Sequence, residues 1–192
     1  MIVGIYGGSF DPIHTGHSIV ANFVAQCGLV DEVWLMVSRQ NPLKDHATYA
    51  AEKCRLEMAG IVAGTCNNVK VCDIELRMPS PSYTIETLKH LKNLYPEHNF
   101  KIIIGSDSLK NFENWKYSKQ IVSEFGVIVY PRPWYGFPDQ EPEGMTFLNG
   151  APEFGISSSL IREYIRDGWN INYFVPTEIA DYIKKHKLYV KR

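Results

Sequence analysis

Apolar positions along the chain follow two alternating patterns. Short continuous runs recur at 2–6, 33–38, 69–73, 100–104 and 125–130, with a weaker one at 145–148. Runs of this length, rich in Val, Ile and aromatic residues, predict strands buried on both faces. Between them lie stretches with helical spacing near 17–27, 49–63, 83–95 and 115–123. Two more follow near 157–167, ending at Gly168, and 176–186, with Pro176 in its first turn. The helix at 83–95 presents Ile85, Leu88, Leu91 and Leu94 as one apolar face and stops at Pro96. The alternation predicts right-handed βαβ units. The expected fold is α/β: a doubly wound, mostly parallel, Rossmann-like sheet with helices on both faces and a C-terminal helical segment. Residues 131–155 are rich in Pro and Gly and read as a long connection around a short strand. The whole chain, 1–192, is therefore expected to form a single domain, with 156–192 packed on the sheet.

Composition narrows the function classes. The 192 residues are 45% hydrophobic, enough for a sizeable core. Lys plus Arg number 20 against 21 Asp plus Glu, a net charge of -1. That balance speaks against a nucleic-acid partner, which usually calls for a basic excess. No apolar run reaches the length of a membrane span, and Met1 leads into a strand without a basic leader. Cys27, Cys54, Cys66 and Cys72 show no CxxC spacing and read as reduced thiols of a cytoplasmic protein.

The chemistry concentrates at the junction of the first strand and first helix. Residues 7–17 read Gly-Gly-Ser-Phe-Asp-Pro-Ile-His-Thr-Gly-His. A strand, a Gly-rich loop and a helix start leave main-chain N–H groups aimed at one spot, which suits a phosphate. His14 and His17 lie three apart, with Gly16 permitting close backbone approach. Imidazolium at a helix start opposes the helix dipole, so this placement makes most sense opposite a bound anion. As a zinc site the pair lacks Cys or acidic partners.

Other strand ends carry weaker signals. Ser157, Ser158 and Ser159 open a helix that carries Arg162, which alone is ordinary capping beside a surface arginine. Lys44, in the loop after the second strand, is either solvated or a mobile phosphate clamp. The Ser82-Tyr83-Thr84 helix start has N–H groups for a carboxylate. Asp107, after Gly105-Ser106, is either an N-cap or a ribose acceptor. Trp115 either packs in the core or stacks on a heteroaromatic ring.

Together these residues resemble a known pattern. Residues 9–17 resemble the S/T-F-x-P-x-H-x-G-H signature of the HxGH nucleotidyltransferases, and 156–162 resemble their second signature, I-S-S/T-T-x-I-R. With Pro81-Ser82-Tyr83-Thr84, Gly105-Ser106-Asp107, Trp115 and Arg132-Pro133, the chain is similar to the bacterial nicotinate-nucleotide adenylyltransferases from end to end. The resemblance implies AMP transfer from ATP to nicotinate mononucleotide by in-line displacement, giving nicotinate adenine dinucleotide and pyrophosphate. It implies that Gly8, Ser9 and Phe10 donate to phosphates and that His14 and His17 stabilise their charge. Ser157, Ser158 and Arg162 would grip the triphosphate, with Lys44 closing over it. Gly105 and Asp107 would serve the adenosine half. Tyr83, Thr84, Trp115 and Arg132 would hold the mononucleotide. Mg2+ would arrive with ATP, and no protein metal ligand is expected. Two positions depart from the pattern: Leu43 stands where the family often has a loop histidine, and Ser159 where Thr is usual. The alternatives are phosphopantetheine adenylyltransferase, a cytidylyltransferase, a non-catalytic nucleotide-binding module and an RNA-binding relative.

Overall fold

The computed structural model describes residues 1–39, 50–79 and 81–191. Six strands form one sheet: β1 (Ile2–Gly8), β2 (Glu32–Val37), β3 (Val69–Cys72), β4 (Asn99–Gly105), β5 (Val127–Tyr130) and β6 (Met145–Phe147). Their order is β3-β2-β1-β4-β5-β6, and every neighbouring pair is parallel. Sheets of this kind are covered on both faces, and the strand sequences show it. Val33, Leu35 and Val37 enter one buried cluster, while Trp34 and Met36 enter the other. Ile103 and Ile128 join the first, and Ile102, Ile104, Val127 and Val129 the second. With both alternating sets apolar, β2 and β5 read as nearly unbroken hydrophobic runs.

The first face is covered by α1 (Thr15–Gln26), α2 (Glu52–Ala63), α7 (Ser158–Arg166) and α8 (Thr177–Lys185). The C-terminal pair contributes Ile161, Ile179 and Ile183 to the same cluster as the strands. The second face is covered by α4 (Thr84–Leu94), α5 (Leu109–Phe112) and α6 (Ser118–Glu124). One-turn helix α3 (Ile74–Arg77) and a short 3-10 turn at Ser106–Ser108 complete the described elements. Among the described residues no helix is long and apolar enough to cross a membrane.

Two sequence expectations need correction. Leu94 does not share the buried face of Ile85, Leu88 and Leu91; it is half exposed. At 100° per residue, a strict three-residue spacing drifts 60° at each step, so Leu94 lies opposite Ile85. The helix expected at 115–123 begins only at Ser118, after Tyr117 takes a left-handed φ of 58°. Trp115 is thereby left in the turn before it.

Candidate active site

β1 pairs with β2 on one side and with β4 on the other. The chain leaves β1 toward one half of the sheet and β4 toward the other, so a crevice opens beyond their C-terminal ends. Two adjoining cavities occupy it. The smaller, about 170 Å³, is lined by residues including Tyr6, His17, Asp107, Tyr130 and Arg132. The larger, about 340 Å³, is lined by Gly8, Met36, Glu75, Ser82, Thr84 and Trp115 among others. Tyr6, Gly105 and Ser108 belong to both walls. Gly105 allows a close approach at this shared edge: a Cβ there would meet the Asp107 carboxylate and Arg132, and both side chains would have to shift. Arg132 Nε lies 4.0 Å from Asp107 Oδ1.

The turn into α1 is built by its two histidines. His14 is the N-cap, and its Nδ1 accepts from the His17 N–H at 3.3 Å. His17 Nδ1 accepts in return from the His14 N–H at 3.2 Å. The rings stack with centroids 3.6 Å apart and planes at 23°. This is a reciprocal capping box made from imidazoles. Gly16 makes room for it, since a Cβ there would stand 3.1 Å from the His14 ring. Both Nδ1 atoms are acceptors, so this network assigns the ring protons to Nε2. Protonating either Nδ1 would set two N–H groups against each other. Burial, followed by the positive charge of Arg132, lowers the His14 pKa to about 3. Burial, His14 and Arg132 hold His17 well below its ordinary value. The pair is therefore neutral at pH 7. The sequence expectation of imidazolium opposing the helix dipole is replaced by neutral rings that cap the helix and offer Nε2–H donors. The first turn of α1 holds no acid, so its N-terminal partial charge stays open to an anion.

A second helix start docks onto this turn. Ser157 caps α7, its hydroxyl accepting from the Leu160 N–H at 3.2 Å. The Ser158 hydroxyl donates to the Pro12 carbonyl at 2.9 Å. Arg162 Nη1 donates to the Asp11 carbonyl at 2.6 Å, and Nη2 donates to the Ser159 hydroxyl at 3.2 Å. These side chains thus tie α7 to residues 11–12 and orient its first-turn N–H groups. Among the described residues, no group of three His, Cys, Asp or Glu side chains converges as a metal cage.

Residues 5–164 match the cytidylyltransferase-like family. A protein of Flavobacterium johnsoniae named "probable nicotinate-nucleotide adenylyltransferase" is 36% identical over the full length of both chains. One of the same name from Bacteroides fragilis is 41% identical across 90% of this chain and 86% of its own. The chain belongs to the nicotinate-nucleotide adenylyltransferase family. Among solved structures, the nicotinic acid mononucleotide adenylyltransferase of Plasmodium falciparum complexed with NaAD matches with a TM-score of 0.80 at 23% identity. That match covers 98% of this chain and 97% of the other, and it shows a shared fold.

The residues singled out by the likeness to this adenylyltransferase family fall into distinct places. His17, Gly105, Asp107 and Arg132 line the smaller cavity, and Gly8, Gly105, Thr84 and Trp115 the larger. Arg132 was expected with the mononucleotide residues, but the structure puts it in the opposite cavity from Thr84 and Trp115. His14 is buried and stacked behind His17. Phe10 is also buried, at a left-handed φ of 47°, and its ring meets His17 edge-on at 5.1 Å. Its side chain is a buttress, leaving only its main chain for a phosphate. The Ser9 carbonyl accepts from Arg55. Tyr83 is the N-cap of α4, and its exposed ring lies under Lys116 Nζ at 3.9 Å, outside both cavities. Lys44 and Leu43 lie outside the described residues. The sequence did not single out Tyr6, Glu75, Ser108 or Tyr130 as wall residues. Glu75 sits in a one-turn helix with no periodic signal, and the tyrosines look like ordinary strand residues.

Proposed function

We propose that the two cavities hold the two halves of a dinucleotide as it forms, and that the chain transfers AMP from ATP to nicotinate mononucleotide. A 5′-phosphate oxygen of the mononucleotide attacks the α-phosphorus of ATP in line. The bond from that phosphorus to the bridging oxygen breaks, and pyrophosphate leaves with the electron pair. The products are nicotinate adenine dinucleotide and pyrophosphate. No side chain forms a covalent intermediate, so rate enhancement comes from positioning and charge stabilisation.

In this scheme the larger cavity takes the mononucleotide. Trp115, half-buried against Phe112 at 5.2 Å, keeps a face for the pyridine ring. The α4 start at Thr84 supplies N–H groups for the nicotinate carboxylate. The smaller cavity takes the adenosine side, with Asp107 as ribose acceptor and Arg132 close to the phosphates. His17 donates Nε2–H to the phosphate oxygens that gain charge, while His14 fixes its ring. Gly8, Ser9 and Phe10 contribute main-chain donors. The α7 start, with Ser157, Ser158 and Arg162, faces the triphosphate from the other side. Magnesium would come with ATP and neutralise charge on its phosphates, and no described residue is assigned to hold it. The four cysteines are all free, which supports a cytoplasmic location.

One observation carries this proposal: two cavities share the Tyr6–Gly105–Ser108 wall at the β1/β4 crevice, with the histidine turn on the same edge. The test is pyrophosphate release from ATP in the presence of nicotinate mononucleotide, nicotinamide mononucleotide or 4′-phosphopantetheine. Release with nicotinate mononucleotide, with the dinucleotide as co-product, is expected. Release only with 4′-phosphopantetheine, or with none of the three, overturns the proposal.

A further inference from the structure

Asp11 lies inside the phosphate turn and is wholly buried, which for a carboxylate demands partners. They come from distant parts of the chain. Oδ1 accepts from the Ala50 N–H at 3.0 Å and from the Tyr189 hydroxyl at 2.6 Å. Among the described residues Oδ2 has no hydrogen-bond partner, and Arg162 Nη1 stands 3.9 Å from it while bonding the Asp11 carbonyl. Arg55 is also buried, and its Nη1 donates to the Ser9 carbonyl at 2.7 Å and the Ser38 carbonyl at 2.8 Å. The Asp11 carboxylate therefore lies in the field of two guanidinium groups, and the Tyr189 hydroxyl helps fix which of its oxygens faces Arg162. Tyr189 adopts a left-handed φ of 63°, a conformation L-residues with bulky side chains avoid. Its ring is held in place against that preference.

We propose that Tyr189 is a positioning residue for the phosphate turn, acting through Asp11 on Arg162 and on the backbone that follows Ser9. The segment after α8 is then part of the phosphate grip, although Tyr189 lines neither cavity of the crevice. This inference rests on the proposed phosphate role of the turn and Arg162. Without the hydroxyl, the carboxylate loses a short hydrogen bond and is free to rotate. It pulls Arg162 toward itself and away from the anion. Among the described residues, the charged and titratable groups facing Asp11 are Tyr189, Arg162 and Arg55, and the Tyr189 bond favours its ionised form.

The test is Tyr189→Phe, which keeps the ring and removes the hydroxyl. Loss of one hydrogen bond to a charged group should lower kcat about tenfold. KM for nicotinate mononucleotide should stay within about twofold, because that cavity is untouched. The acid limb of the kcat profile should move to higher pH, as Asp11 protonates more readily. Binding of inorganic tripolyphosphate, measured by calorimetry, should weaken by a similar factor of about ten. That last readout does not depend on the reaction, so it judges the coupling even if the wild type releases no pyrophosphate. Unchanged tripolyphosphate affinity together with an unmoved acid limb overturns the inference and leaves the contact a structural staple. So does a variant that loses only thermal stability.

Discussion

The turn at 8–17 and the wall formed by α4 and Trp115 face the same crevice but are built on opposite plans. In the turn, polar groups hold one another. His14 and His17 exchange hydrogen bonds, Asp11 is bonded by Tyr189 and Ala50, and Ser158 and Arg162 tie down Pro12 and Asp11. On the α4 side, Ser82, Thr84 and Trp115 are partly exposed, and the Tyr83 ring turns out to solvent. A group that must stabilise charge at the moment of reaction is best fixed beforehand. A surface that recognises a flat ring needs an open face and one edge of donors. Under the proposed function the difference separates chemistry from recognition, and substitutions on the two sides should fail in different ways.

The largest effect is expected at the turn. His17→Ala removes a preorganised donor and should lower kcat by about 10²–10³, with little change in ATP affinity. Steady-state kinetics with both substrates varied would show it, and near-normal turnover would break the division of labour. Next comes pH. Folded His14 stays neutral down to about pH 3, whereas the unfolded chain takes up that proton near 6.5. Its contribution to stability is thus complete above pH 6.5 and is lost as pH falls. Between pH 7 and 5 the loss should be about 2 kcal/mol. The raised pKa of buried Asp11 acts in the opposite sense. Denaturant titrations of the wild type and of His14→Asn, which keeps an N-cap, isolate the histidine; equal pH slopes in the two would refute its neutrality.

On the recognition side, Trp115→Ala should raise KM for nicotinate mononucleotide about tenfold, the size of one lost ring stack, and leave KM for ATP alone. An equal rise for both substrates would place the indole in the core instead. The smallest effect is expected at α7. Ser157→Ala removes a helix cap and should cost about 1 kcal/mol of stability, read by chemical denaturation. If kcat fell more than tenfold with stability unchanged, the serine hydroxyl would itself contact phosphate.

The strands and the main helices were legible because both patterns are local. A strand buried on two faces is a continuous apolar run, and a long helix repeats its spacing. One-turn helices such as Ile74–Arg77 are too short to repeat anything. The histidine turn was legible as one candidate site because its residues are adjacent in sequence. Its protonation state was not, since that depends on burial and on Arg132, more than a hundred residues away. The sequence did not show which cavity Arg132 lines, for a related reason. Strand order decides which side of the crevice a loop serves, and β5 lies beyond β4, away from β2 and β3. Asp11, Arg55 and Tyr189 form contacts across much of the chain, so no spacing rule joins them. The one local signal was a single acid set between Phe10 and Pro12 in the Gly-rich turn.

The central claim is that the turn presents neutral, prelocked imidazoles. The most direct measurement is nitrogen-15 NMR of the imidazole rings in the ligand-free protein, followed from pH 7.5 to 5. His14 and His17 should both show the Nε2–H tautomer, with no titration in this range. An imidazolium signal from either residue at pH 7, or an Nδ1–H tautomer, would contradict the reciprocal cap and the account built on it.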